Sequence, residues 1–167
     1  MTDRAQHDIP SLAQALLEAA RAKGLHLAVA ESCTGGLLAG AITTQAGSSA
    51  IFDRGFVTYS NAAKSDLLAV RSETLLKHGA VSEEVAAEMA RGALDRSEAD
   101  IAVSTTGVAG PGASGRKPEG RVCFGLATAS ELRAQTIEFG AQGRDAVRAA
   151  AVRHALRLLL QAVDRAP

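Results

Sequence analysis

The chain has 167 residues, 47% of them hydrophobic, and sets 18 Lys and Arg against 18 Asp and Glu. Zero net charge gives no footing for a general nucleic-acid or membrane-surface role, and no apolar run approaches the roughly 20 residues that span a bilayer. Four Phe, one Tyr and no Trp imply an aliphatic core, and two Cys are too few for a disulfide framework and lack metal-ligand spacing; with no signal-peptide pattern at the start, a cytoplasmic protein without metal or cofactor is the expectation.

Residues 1–10 are polar and expected to be flexible, and 11–167 read as one domain. From Ser11, apolar positions 12, 15, 16 and 19 recur at helical spacing until Lys23-Gly24 ends the run. An apolar strand over 25–30 enters a polar turn, then a helix over 35–44 and a Gly47-Ser48-Ser49 turn. Residues 56–59 read as strand and 61–70 as helix. The helix over 82–96 has Ser82 as its cap, with Glu83 and Glu84 suited to its first turn. An apolar strand over 100–106 leads into 107–120, where five glycines and two prolines make a loop. Strands over 122–128 and 134–139 pair as a hairpin, and a long helix over 144–163 closes the chain. Strands alternating with helices, then a hairpin, predict an α/β single-domain sandwich with a mixed sheet flanked by helices.

Three polar clusters interrupt this pattern: Glu31-Ser32-Cys33-Thr34-Gly35-Gly36, Thr58-Tyr59-Ser60-Asn61-Ala62-Ala63-Lys64, and Thr105-Thr106-Gly107-Val108-Ala109-Gly110-Pro111-Gly112. Each follows a predicted strand, and loops beyond the carboxyl ends of parallel strands converge on one crevice. Ser32 sits at a strand-to-helix turn, near free N–H groups and the positive end of a helix dipole, where an enzyme holds a nucleophile or an anion. The same turn also reads as an ordinary helix cap. Lys64 falls near the start of its helix, where the dipole disfavours the ammonium form. Partial burial would make it a base, and exposure would make it a plain surface lysine. No histidine lies in the clusters.

Loop 107–112 offers backbone N–H groups for an oxyanion or a phosphate, or is a simple surface loop. Arg144 and Arg148 stand one helical turn apart at the start of the last helix. A substrate phosphate would justify one of them, Arg144 ahead of Arg148, which has more reason to stay solvated; with Asp145 beside them the pair also reads as a solvated face. There is no dinucleotide fingerprint, P-loop or Gly-x-Ser-x-Gly elbow.

Taken in order, the runs Ala30-Glu31-Ser32-Cys33-Thr34-Gly35-Gly36, Gly47-Ser48-Ser49, Val57-Thr58-Tyr59-Ser60-Asn61 with Lys64, Gly79-Ala80-Val81-Ser82, Thr106-Gly107-Val108-Ala109-Gly110-Pro111-Gly112 and Lys117-Pro118-x-Gly120-x-Val122 resemble the CinA C-terminal domain family, the nicotinamide-nucleotide amidases. The resemblance covers nearly the whole chain, in the stand-alone form without the N-terminal domain of fused CinA proteins. It implies hydrolysis of nicotinamide mononucleotide to nicotinate mononucleotide and ammonia, with Ser32 as nucleophile, Lys64 as base and Tyr59 in the site. Substrate contacts are expected at Cys33, Thr34, Gly35, Gly36, Ser49, Thr106, Gly107, Val108, Ala109, Gly110 and Arg144, with the amides of 107–110 steadying the oxyanion. No metal is implied, and the assembly is expected to be a homo-oligomer. The chain departs from the family pattern at Ala46, Ala113, Ser114 and Glu119, which bears on loop shape and substrate fit. Two alternatives stand beside this reading: Cys33 as nucleophile, its thiol activated by the helix start, and a nucleotide-binding module without turnover.

Overall fold

The computed structural model describes residues 8–167. The expectation of a flexible start falls largely on residues 1–7, which lie outside them. Helix α1 (Ile9–Lys23) begins earlier than Ser11 because the Asp8 carboxylate accepts the Ser11 N–H at 2.8 Å and Pro10 suits a first helical turn. The chain continues through β1 (Leu27–Glu31), α2 (Leu37–Thr43), a single 3-10 turn (Ser48–Ala50), β2 (Phe52–Val57), α3 (Asn61–Leu68), α4 (Ser72–His78), α5 (Glu83–Asp95), β3 (Ile101–Gly107), β4 (Arg121–Thr128), β5 (Leu132–Glu138) and α6 (Arg144–Arg165). Among the described residues no helix is long and apolar enough to cross a membrane.

The sheet runs β2-β1-β3-β4-β5. β1 pairs parallel with β2 and β3, and the hairpin of β4 and β5 adds antiparallel on the other side. This is the expected α/β sandwich with a mixed sheet. β1 is buried on both faces, which is why Leu27 to Ala30 reads as a continuous apolar run. Alternation sends Leu27 and Val29 into one core with residues of α1, α2 and α6, and Ala28 and Ala30 into the other with residues of α3 and α5.

Two elements differ from expectation. β2 spans Phe52–Val57 rather than 56–59. It is an edge strand carrying Asp53, Arg54 and Gly55, so its burial alternates poorly and hides the period of two. Helix α4 falls in a stretch where no element is predicted. Its seven residues follow Arg71, an N-cap that makes no side-chain capping bond, so sequence carries little signal for it. Helix α3 stops at Leu68 because Ala69 takes a left-handed conformation, φ 54°. Its end rests directly on α5: a Cβ on Gly92 would stand 2.0 Å from the Leu68 carbonyl oxygen. Gly92 therefore permits the close approach that sets α3, and Lys64 with it, over the end of β1.

Candidate active site

The carboxyl ends of β1, β2 and β3 lie side by side, with Glu31 registered against both Val57 and Thr105. The ladder runs one step further, since Ser32 N–H donates to the Thr105 carbonyl and Thr58 N–H to the Glu31 carbonyl. Ser32 thus continues the alternation of Ala28 and Ala30 and faces α3, whereas Cys33 turns to the opposite core. On α3, Lys64 and Leu68 share a face at i,i+4, and Lys64 occupies a position that patterning reserves for an apolar residue. Lys64 is only 1% exposed. Its Nζ donates to Ser32 Oγ at 3.0 Å and to the Thr58 carbonyl at 2.8 Å. Burial holds the amine below the usual lysine pKa.

Cys33 is 5% exposed within the aliphatic core. Burial pushes its thiol up to about 12. A thiol in that state is a poor nucleophile near neutrality.

The start of α2 does not serve as an open anion site. The fully buried Glu31 carboxylate accepts from Gly36 N–H at 3.1 Å, Leu38 N–H at 3.0 Å and Ala39 N–H at 2.8 Å. These are the orphan donors that a helix start presents, and a carboxylate already fills them. Glu31 is the role sequence reasoning missed. Its signal was a charged residue ending an apolar strand, just ahead of a helix whose start carries only glycines.

Of the arginines of α6, the first two, Arg144 and Arg148, reach loops that follow the strand ends. Arg144 donates to the Gly110 carbonyl and to the Tyr59 hydroxyl, each at 2.8 Å, and so straps the β2–α3 loop to the β3–β4 loop. Arg148 is half-buried and donates to the carbonyls of Cys33 and Thr34, each at 3.2 Å, which corrects the expectation of a solvated Arg148. Neither forms an ion pair with an acid among the described residues, Asp145 included.

The CinA C-terminal domain model matches residues 9–163. The chain belongs to the CinA C-terminal domain family. It is 50% identical over 162 residues to the nicotinamide-nucleotide amidohydrolase PncC of Escherichia coli K12, covering 96% of each chain. It is 56% identical over 126 residues to a CinA-like protein of Chloroherpeton thalassium, a match covering 75% of this chain but 30% of that longer protein. The crystal structure of competence/damage inducible protein CihA from Agrobacterium tumefaciens superposes with a TM-score of 0.90 at 48% identity, covering 95% of this chain and 96% of that one.

Of the residues expected in the site, Ser32 contacts Lys64, and Tyr59 and Gly110 contact Arg144, the two groups meeting at Thr58, whose carbonyl accepts from Lys64, with Gly35 and Gly36 in the turn that follows Ser32. Tyr59 is 61% exposed, with its hydroxyl on Arg144. Other residues are brought near but spend their side chains on structure. The Thr34 hydroxyl is buried against that of Thr105 at 2.7 Å, and Thr106 donates to the Ala80 carbonyl at 2.8 Å. The Ala109 side chain and Cys33 lie in the core. Val108 N–H is committed to the Arg121 carbonyl at 2.9 Å, so it is not the free oxyanion donor expected of it, and Gly107 ends β3 in register with Val122. Ser49 is not brought in at all. It lies in the 3-10 turn before β2, at the amino end of a strand whose far end carries the site, roughly 20 Å away at ~3.3 Å per residue.

Proposed function

We propose that this chain hydrolyses the carboxamide of nicotinamide mononucleotide, giving nicotinate mononucleotide and ammonia through a Ser32–Lys64 pair within one amidase domain over 11–167. The observation that carries the reading is the 3.0 Å contact between Ser32 Oγ and a buried Lys64 Nζ. The similarity to an amidohydrolase acting on nicotinamide nucleotides supplies the substrate.

In the reactive form, Lys64 is neutral and keeps one N–H on the Thr58 carbonyl, leaving its lone pair for the Ser32 hydroxyl proton. Burial favours that form because it penalises the ammonium. Ser32 Oγ attacks the carboxamide carbon while its proton passes to Nζ. The tetrahedral oxyanion collapses, the C–N bond breaks, and Lys64 returns the proton to the departing ammonia. Water then gives a proton to Lys64, attacks the ester, and releases the acid as Ser32 regains its proton. Arg144, uncompensated by any acid among the described residues, takes the 5′-phosphate, while Tyr59 flanks the ligand. The same reading makes the protein a cytoplasmic homo-oligomer, checked by light scattering and fractionation.

The test is ammonia release from nicotinamide mononucleotide. Wild type should turn over, Ser32→Ala should be inactive while folded, and Lys64→Arg should fail as completely as Lys64→Ala, since guanidinium stays protonated. Near-normal turnover by Ser32→Ala would sink the proposal.

A further inference from the structure

The turn after Ser32 is held from both faces of the sheet. On one side, Arg148 lays one edge of its guanidinium across two successive carbonyls, Nε on Cys33 and Nη2 on Thr34. The fit is close: a Cβ on Gly35 would come within 3.2 Å of Nη2. Among the amides of this turn, Ser32 donates to the Thr105 carbonyl, Gly35 to the Ser32 carbonyl, and Gly36 to Glu31. Those of Cys33 and Thr34 donate to no other residue among the described residues.

A trans peptide directs its C=O and N–H to opposite sides. Arg148 comes from α6, whose core holds Leu27 and Val29, while Lys64 comes from α3, on the face of Ala28 and Ala30. Drawing the Cys33 carbonyl toward α6 therefore turns the Thr34 N–H away from α6, toward the side on which Ser32 meets Lys64. Removing Arg148 frees that peptide to rotate.

We propose that the oxyanion is received by the amides of Cys33 and Thr34, and that Arg148 is the positioning residue that aims the Thr34 N–H. The inference rests on the Ser32 amidase reading, and it moves the oxyanion site from 107–110 to the nucleophile's own turn. There the amide following the serine lies within one peptide of the attacking oxygen, an arrangement chemistry favours. It also separates the two arginines: Arg144 acts on the phosphate and Arg148 on the chemical step.

Kinetics of Arg148→Ala and Arg148→Lys with nicotinamide mononucleotide and nicotinamide riboside test this, alongside the rate of Ser32 phosphonylation by a fluorophosphonate. In that reaction the Oγ–P bond forms, fluoride leaves, the proton goes to Lys64, and the phosphonyl oxygen occupies the oxyanion position. Arg148→Ala should lower kcat about ten- to hundredfold for both substrates alike, with KM nearly unchanged, less than the loss on deleting a donor outright. Phosphonylation should slow by a similar factor. Arg148→Lys preserves charge and folding but cannot span two carbonyls, and it should still lose several-fold in kcat. A loss confined to KM of the phosphorylated substrate would make Arg148 a phosphate ligand and overturn the proposal, as would full activity in Arg148→Lys. If wild type is phosphonylated at Ser32 yet releases ammonia from neither nicotinamide compound, the substrate assignment fails. The phosphonylation rates of the two variants still decide the role of Arg148.

Discussion

Glu31→Gln is the sharpest test of how the turn after Ser32 is built. The native carboxylate accepts three N–H groups, two on Oε2 and one on Oε1. In its better orientation the amide of Gln keeps the Gly36 and Leu38 bonds but turns an NH2 against the Ala39 N–H. The two retained bonds lose their charge assistance, about 1 kcal/mol each, and an unsatisfied amide adds roughly 1 kcal/mol or more. A loss of about 3 kcal/mol follows, which for a domain of this size lowers Tm by roughly 6–12 °C. Glu31→Ala, which abandons all three bonds, should fall further. Glu138→Gln serves as control, because its exposed pair with Arg121 is worth no more than about 1 kcal/mol. Thermal and urea unfolding followed by circular dichroism give the comparison, with turnover measured well below each Tm. A Glu31→Gln Tm within about 2 °C of wild type would refute the argument that the carboxylate holds the start of α2.

Cys33→Ala should retain turnover within a few-fold, and iodoacetamide at pH 8 should leave native protein active, since a thiol pushed up to about 12 is ionised there to only about one part in ten thousand. Rapid inactivation protected by substrate would reverse that conclusion. Lys64 has a folded pKa below its unfolded value near ~10.4, so between the two the unfolded chain binds more protons and stability rises with pH. Below the folded pKa the penalty for burying the ammonium is fully present. Lys64→Met should therefore be more stable than wild type at neutral pH, with the gap closing toward alkaline pH; a gap that widens there contradicts the sign. Turnover should climb with pH to a plateau governed by a group titrating below a free lysine. Arg144→Ala should weaken the mononucleotide by about 1.5–3 kcal/mol while barely affecting the riboside, and equal losses would assign Arg144 to the loops it straps together.

The layered fold and the succession of most elements along the chain follow from short-range patterning. The apolar run into Ala30, the Ser82 cap and the glycine-rich 107–120 each announce an element within a few residues. The site was legible in part for the same reason, because the polar clusters sit where strands end and a parallel sheet gathers such ends together. What failed was whatever depends on a distant neighbour. β2 hides its period at an exposed edge, Ser49 belongs to the wrong end of its strand, and Arg148 looks like any helical surface arginine.

Sequence alone determines which face each residue of β1 takes, since side chains alternate along a strand whatever lies around it. That is enough to part Ser32 from Cys33. It does not determine what each face meets. Only packing brings Lys64 across 32 residues of chain to Ser32 Oγ and strips water from its amine. Packing likewise seats Glu31 under α2 and lays Arg148, 114 residues beyond Thr34, across the turn after Ser32. Reactivity rests on desolvation and the direction of a few hydrogen bonds, and both are properties of the assembled layers rather than of any segment within them.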